Sequence, residues 1–282
     1  QTFANRTIVA TNPAQGTYVE ATGKCFWWTT NNQVPSISAM GTFYDAPALP
    51  SIATTTRANQ TAGFSISTYT GNGSANQILG HNLGAAPEFV VIKDLTSAQN
   101  WAVMHTSSPV VGMLDGGTEY QMLELSSSAA ASNFSYDTIW HPTSTTVKIA
   151  EGANSAHWVN KSGDNYVMYA WAPVEGFSKF GKFVSRNSTD NKFVYLGFRP
   201  RWVLWKRSSA SGGWFIYDAK RDPVNGVDTY MPVDTSGAEG DASPAPLDFL
   251  SNGFKVRNGL GGTETFVYAA FAESSLKYAR AR

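Results

Sequence analysis

An eleven-residue block occurs twice in this chain and constrains its folding more than any other feature. Leu83-Gly84-Ala85-Ala86-Pro87-Glu88-Phe89-Val90-Val91-Ile92-Lys93 returns as Leu196-Gly197-Phe198-Arg199-Pro200-Arg201-Trp202-Val203-Leu204-Trp205-Lys206, a shift of 113 residues. The same shift carries Phe64-Ser65 onto Phe177-Ser178 and Trp101 onto Trp214, so one gap-free register spans the match. Each copy closes alike. Tyr166-Val167-Met168-Tyr169-Ala170-Trp171-Ala172 is matched by Phe266-Val267-Tyr268-Ala269-Ala270-Phe271-Ala272 at a shift of 100, which leaves the second copy 13 residues shorter in between. Length variation of that kind belongs in surface loops over a retained core, and self-similarity on this scale marks a duplicated structural unit. The reading is an N-terminal arm or connector at 1–62, a first repeat at 63–174 and a second at 175–282.

The repeated blocks read as β-strands. Phe89–Lys93 and Trp202–Lys206 are β-branched or aromatic runs that follow a proline, the pattern of strands buried on both faces. Proline is tolerated at a strand's start and rarely inside it. Thr145–Ile149 and Phe254–Arg257 alternate apolar with polar residues, as a strand with one face on a core does. Gly71-Asn72-Gly73, Gly116-Gly117, Gly212-Gly213, Ser251-Asn252-Gly253 and Gly261-Gly262 read as tight turns with positive φ. No stretch of 12 or more residues carries a helical apolar period, and only 272–282 reads as a short helix or frayed tail. The expected fold is all-β: two tandem antiparallel β-sandwich modules, jelly-roll or lectin-like, with an extended N-terminal segment.

Composition narrows the function. Twenty-one basic residues balance 21 acidic ones, so no net field draws the chain to nucleic acid or an anionic membrane. Charged residues make up 15% of the chain and aromatic residues 13%, where about 25% charge is usual; this points to extensive burial in cores or between subunits. Cys25 is the single cysteine. It forms no internal disulfide and reads as a buried, inert thiol beside Phe26-Trp27-Trp28. No apolar run reaches the length of a membrane span, and no charged-then-apolar signal sequence opens the chain. That start reads as a processed product or part of a longer polypeptide. Six Asn-x-Ser/Thr sequons, at Asn5, Asn59, Asn72, Asn133, Asn160 and Asn187, are partly a consequence of a chain rich in those residues.

Motifs for chemistry are sparse. His81, His105, His141 and His157 all lie in the first copy, without metal-ligand spacing, and read as polar residues at strand ends. No nucleophile elbow, Walker loop or dinucleotide fingerprint occurs, and no cofactor or metal is expected. A pair of glycosidase carboxylates leaves no sequence signature; the candidates are Asp218, Asp222, Asp234, Glu239 and Asp248. The most distinctive stretch is Trp214–Pro223, where a strand runs into Asp218-Ala219-Lys220-Arg221-Asp222. Arg221 with Asp218 or Asp222 reads first as a self-paired turn and second as a site, and Trp205, Trp214 and Tyr217 read first as core and second as platforms for a sugar ring. Those six residues form the candidate glycan or host-contact set.

The patterns Gly63-Phe64-Ser65-Ile66-Ser67-Thr68-Tyr69-Thr70-Gly71-Asn72-Gly73-Ser74, Gly80–Lys93, Phe193–Pro200, Trp214–Pro223 and Asp248–Lys255 together resemble an uncharacterised domain of structural proteins in tailed bacteriophages. The resemblance covers about residues 63–275 and carries over no catalytic residue. It implies a virion protein on the particle exterior, a tail fibre or other surface appendage that contacts the host, assembled as a homo-oligomer, by analogy with fibres a trimer, beside other virion proteins. Neither nucleic-acid binding nor membrane insertion is expected. The alternatives are a capsid-decorating or head-fibre protein, a glycan-binding module, and a polysaccharide depolymerase. Function, if carried by single residues, is expected where the copies diverge, at Met113–Asn165 and Asp218–Asp248.

Overall fold

The computed structural model describes residues 8–12, 16–21, 24–28, 44–45, 49–109, 120–131, 139–140, 142–149, 158–257 and 260–274. The described chain is all-β, built of antiparallel sheets and without a helix. It divides into two compact units, 1–49 and 50–282.

The first unit contains β1 (Ile8–Asn12), β2 (Gly16–Ala21), β3 (Lys24–Trp28) and β4 (Tyr44–Asp45), paired in sequence order as one four-stranded antiparallel sheet. The arm expected at 1–62 is therefore not simply extended: Lys24–Trp28 is flanked on both sides, as β-branched and aromatic runs favour.

In the second unit the chain forms β5 (Thr55–Asn59), β6 (Phe64–Thr70), β7 (Gln77–Gly80), β8 (Phe89–Asp94), β9 (Ala102–Pro109), β10 (Tyr120–Glu124), β11 (Ile139–Trp140), β12 (Thr146–Ile149) and β13 (Asn165–Trp171). It continues through β14 (Ser178–Val184), β15 (Phe193–Tyr195), β16 (Trp202–Arg207), β17 (Trp214–Asp218), β18 (Thr229–Pro232), β19 (Gly240–Asp241), β20 (Leu247–Leu250), β21 (Gly253–Val256) and β22 (Thr265–Phe271). The first set makes a six-stranded sheet, β5-β6-β13-β8-β9-β10, and a three-stranded one, β7-β12-β11. The second makes β14-β22-β16-β17-β18-β19 and β15-β21-β20. Strand for strand the two orders coincide, except that β5 has no partner element in the second set and β19 none in the first.

β5 lies within the stretch read from the sequence as arm. It pairs with β6 from Thr55↔Thr68 to Asn59↔Phe64, and Ile52, just before it, is buried in the first core. Short polar segments of this kind carry no apolar period, so only their partners reveal them.

Period-two alternation along the central strands sorts side chains into three cores. On β8, Val90 and Ile92 face β7 and β12 across the first sandwich, with Leu79, Val147 and Ile149. Val203, Trp205 and Tyr217 do the same in the second, with Phe249, Phe254 and Val256. The opposite faces meet each other. Phe89, Val91, Val103 and Leu123 of the first sandwich pack on Phe180, Leu204, Trp214, Val267 and Ala269 of the second. Each large apolar side chain withdrawn from water there contributes roughly 1.5–3 kcal/mol, so the two sandwiches stack into four layers with their larger sheets innermost.

Strand pairing corrects the gap-free register. Trp202 faces Phe271 as Phe89 faces Trp171, in keeping with the shift read from sequence. Ser178, however, faces Phe271 where Phe64 faces Trp171, so Phe64 and not Ser65 is its counterpart. The packing agrees, because Tyr69 stacks on Tyr166 at 5.0 Å as Phe183 stacks on Phe266 at 5.1 Å. Likewise Val194 faces Phe254 as Leu79 faces Val147, which leaves His81 without a counterpart.

The glycines also divide. Gly73, Gly261 and Gly262 have positive φ as expected, but Gly71, Gly212, Gly213 and Gly253 do not. Gly71 and Gly253 are required for another reason: a Cβ there would overlap the backbone carbonyls of Lys161 and Val194. Gly116-Gly117 and 275–282 lie outside the described residues.

Candidate functional site

The six residues singled out from the sequence are brought together only in part. Trp205 (2% exposed) and Tyr217 (4%) lie in the second core and Trp214 (1%) between the sandwiches. None of the three presents a face to a sugar. They were candidates because aromatic runs on a strand look the same whether the strand is covered on one face or two. The Trp214 indole Nε1 donates to the Glu124 carbonyl at 2.7 Å, tying β17 to the end of β10 in the other sandwich.

Asp218, Arg221 and Asp222 build a turn, as their first reading held. Asp218 Oδ1 accepts the backbone N–H groups of Lys220 (2.8 Å) and Arg221 (3.0 Å), and the Arg221 guanidinium joins Asp218 to Glu239. Asp222 accepts the N–H groups of Asp228 (3.1 Å) and Thr229 (2.8 Å) and the Thr229 hydroxyl (3.0 Å). Asp234 accepts the Trp214 N–H at 3.0 Å, and Asp248 pairs with Arg257 at 2.6 Å. Each carboxylate of the glycosidase set thus has a partner within the fold, the usual state of partly buried acids.

The histidines are clips. His105 Nδ1 accepts the Ser107 N–H at 3.1 Å, so the proton sits on Nε2, which donates to the Tyr268 carbonyl at 3.0 Å. His81 repeats the arrangement with Leu83 and Thr143, both at 3.2 Å. Burial pushes His105 down to about 4 and also lowers His81, because the charged imidazolium is poorly solvated there. Asp218, the sequence counterpart of His105, accepts an N–H two residues on just as His105 does. His141 and His157 lie outside the described residues.

A second repeated device is the lysine closing each shared block. Lys93 Nζ donates to the Gln99 carbonyl at 2.7 Å, and Lys206 Nζ donates to the Gly212 carbonyl while lying 5.9 Å from the Trp214 ring centre. Burial lowers Lys206 to about 8, against the pull of Asp234. Its repetition in both copies marks it as loop-fastening.

One open groove of about 410 Å³ lies beside these groups. Phe215 and Tyr230 form one side, edge to face at 5.2 Å; Pro232, Asp234 and Thr235 continue it, and Ser128, from the first sandwich, closes the rim. The rim is fixed by Gly212 N–H donating to the Ser128 carbonyl at 2.8 Å and Ala131 N–H donating to the Ser208 carbonyl at 2.9 Å. Half-buried aromatic rings beside a carboxylate suit a neutral, hydroxyl-rich ring, which stacks on the former and donates to the latter. The sequence reading singles out neither ring, although Phe215 lies in the distinctive stretch Trp214–Pro223 and Tyr230 in Asp218–Asp248, where the copies differ. Among the described residues no group of three or more His, Cys, Asp or Glu side chains is placed to hold a metal, and no helix is long and apolar enough to cross a membrane.

Fold and groove together define an all-β protein whose residues 50–282 form two stacked like sandwiches, with a small polar-aromatic cleft on the second, rimmed by Ser128 of the first. The chain belongs to the family defined by the domain of unknown function DUF7483, whose model matches residues 45–275. Neither a curated protein nor a solved structure matches it.

Proposed function

We propose that this chain is a structural component of a bacteriophage virion, a tail-fibre or surface-appendage protein whose groove contacts host glycan. The observation that carries the reading is the use made of its polar side chains. His81, His105, Asp218, Asp222, Lys93 and Lys206 fasten turns and strands, while the groove presents aromatic rings and one carboxylate to solvent. This is the division of labour expected of a rigid display scaffold. The motif resemblance to tailed-phage structural proteins supports the same reading, as does the low charge, since interface cores are depleted of charge and enriched in aromatic residues.

The test is to locate the protein in purified particles by mass spectrometry and by electron microscopy with a labelled antibody. Label on tail or appendage is the expected result; label on the capsid moves the protein to the decorating class, and its absence from particles overturns the reading. The glycan-contact part is tested separately on a glycan array with the purified chain. Turnover of a bound polysaccharide, lost in D218N or D222N, would move the protein to the depolymerase class.

A further inference from the structure

The two sandwiches differ most at one side, where the first is closed by a strap and the second is bare. In the first, residues 50–59 run across the edges of both sheets. The N–H groups of Ser51 and Ile52 donate to the Ile78 carbonyl at 2.9 and 3.3 Å, Ile78 N–H donates to Ser51 Oγ at 2.7 Å, and Ile52 enters the core. The strap then pairs as β5 with the edge of β6.

Its counterparts in the second sandwich are the edges of β14 and β15. Among the described strands β14 pairs with β22 alone, apart from one bridge of its first residue, Ser178, to Val174. Ala272 N–H donates to the Phe177 carbonyl and Ser185 N–H to the Glu264 carbonyl, so alternation along the strand turns the backbone groups of Phe180, Lys182 and Val184 away from β22. Phe180 and Lys182 stand where Ile66 and Thr68 pair with β5, yet make no backbone hydrogen bond among the described residues; Val184 stands where Thr70 does, beyond the end of β5. Phe193 stands where Ile78 does, and its N–H and C=O are equally unmet. No hairpin can supply the missing strand from the sequence just before β14, because β13 ends only seven residues earlier and lies inside the first sandwich. On this side Phe193 (41% exposed) and Tyr195 (59%) of β15 and Val184 (42%) of β14 leave apolar surface in solvent, as Ile66 (38%) does on β6.

We infer that the bare side of the second sandwich, β14 with β15, is an acceptor for one extended, acidic segment of another protein, which adds as a strand to β14 and lays an apolar side chain on Phe193 and Tyr195. Strand addition to an open sheet edge supplies main-chain hydrogen bonds, and pockets beside it supply specificity. Charge selects the occupant. Lys182 is exposed and makes no ion pair among the described residues, whereas Lys179, on the opposite face of the strand, donates to the Tyr195 carbonyl at 3.0 Å and lies over the Tyr195 ring at 5.3 Å. A second copy of this chain is disfavoured, because symmetric antiparallel pairing through the three outward residues sets Lys182 against Lys182. A carboxylate opposite Lys182 satisfies it. By the first sandwich's register that position is the one Thr55 holds opposite Thr68. The site is defined by the contrast between the sandwiches, whatever particle carries the protein.

The experiment uses the full chain and a synthetic peptide with the sequence of residues 50–59 carrying T55E. Backbone hydrogen exchange is followed with and without peptide, and binding is measured by calorimetry. The amides of Phe180 and Lys182 are expected to exchange freely in the chain alone and to slow at least tenfold with peptide, while those of Gly181 and Phe183, already bonded to β22, do not change. Lys182→Glu should weaken binding at least tenfold. Lys182→Pro should abolish it without lowering the melting temperature greatly, since that N–H bonds to nothing in the fold. Outward amides already protected in the isolated monomer would overturn the inference, as would a chain dimer dissolved by K182E, or peptide binding indifferent to both substitutions.

Discussion

His105 on β9 and Tyr268 on β22 are joined across the two sandwiches by an Nε2–H···O=C hydrogen bond of 3.0 Å, made by an imidazole held neutral. The same ring accepts the Ser107 N–H on Nδ1, so protonation there would set two donors against each other inside the seam.

Acid should therefore loosen the protein. The folded pKa of His105, about 4, lies below the unfolded value of about 6.5, so the unfolded chain binds the extra proton first. The stabilisation is complete above the unfolded pKa and is lost as pH falls from about 6.5 to about 4, a change of about 3 kcal/mol. His81, also lowered by burial, acts in the same direction. Glu88, raised by burial, acts in the opposite one. Urea unfolding at pH 7.5 and 4.5 measures the difference, and His105→Gln, which keeps a donor but does not titrate, should flatten it. An unchanged slope in that variant would refute the assignment.

Trp214 should be the costliest single truncation at the seam. Trp214→Ala opens a cavity between the sandwiches and leaves the Glu124 carbonyl without its donor, a loss of about 3–5 kcal/mol. Trp214→Phe should retain much of the packing. Denaturant midpoints rank the two, and equal losses would contradict the seam's dependence on filled volume.

Asp222 should report on stability alone. Asp222→Ala leaves two backbone N–H groups and the Thr229 hydroxyl unmet, which costs about 1–3 kcal/mol. Amides of 226–229 should exchange faster, with no change in glycan binding. Lost binding at full stability would return Asp222 to the contact set.

The groove should be blocked from its rim. Thr235 is exposed and lines the groove without entering a core, so Thr235→Trp should fill it and abolish any glycan signal while leaving the unfolding midpoint within about 0.5 kcal/mol of the parent. Binding that survives a filled groove would place glycan contact elsewhere.

Gly253→Ala should be severe for so small a change. The added methyl meets the Val194 carbonyl and presses β15 off β21, an overpacking cost of about 1–3 kcal/mol. Thermal melts test it directly; a neutral result would show that the hairpin can shift.

The repeated blocks were enough to read the β class, the Pro-led strands buried on both faces and the closing strands, because apolar pattern and turn chemistry are local. Leu83–Lys93 and Leu196–Lys206 carry that information in eleven residues each. The turn role of Asp218 and Asp222 was also legible, since short acidic side chains beside a strand end bond nearby N–H groups. What the local pattern lacked was direction. Trp205 and Trp214 stand on neighbouring strands, yet one fills the second sandwich and the other the seam. A strand covered on both faces has no polar side to say which is which. β5 was hidden in a polar stretch for the opposite reason, having too little apolar character to announce a partner. The stacking of two like sandwiches, the groove from Phe215 and Tyr230 with Ser128 at its rim, and the strap present at β6 but missing at β14 exist only between segments distant in sequence. They were decided by tertiary packing, which joins faces and edges that no local periodicity can assign.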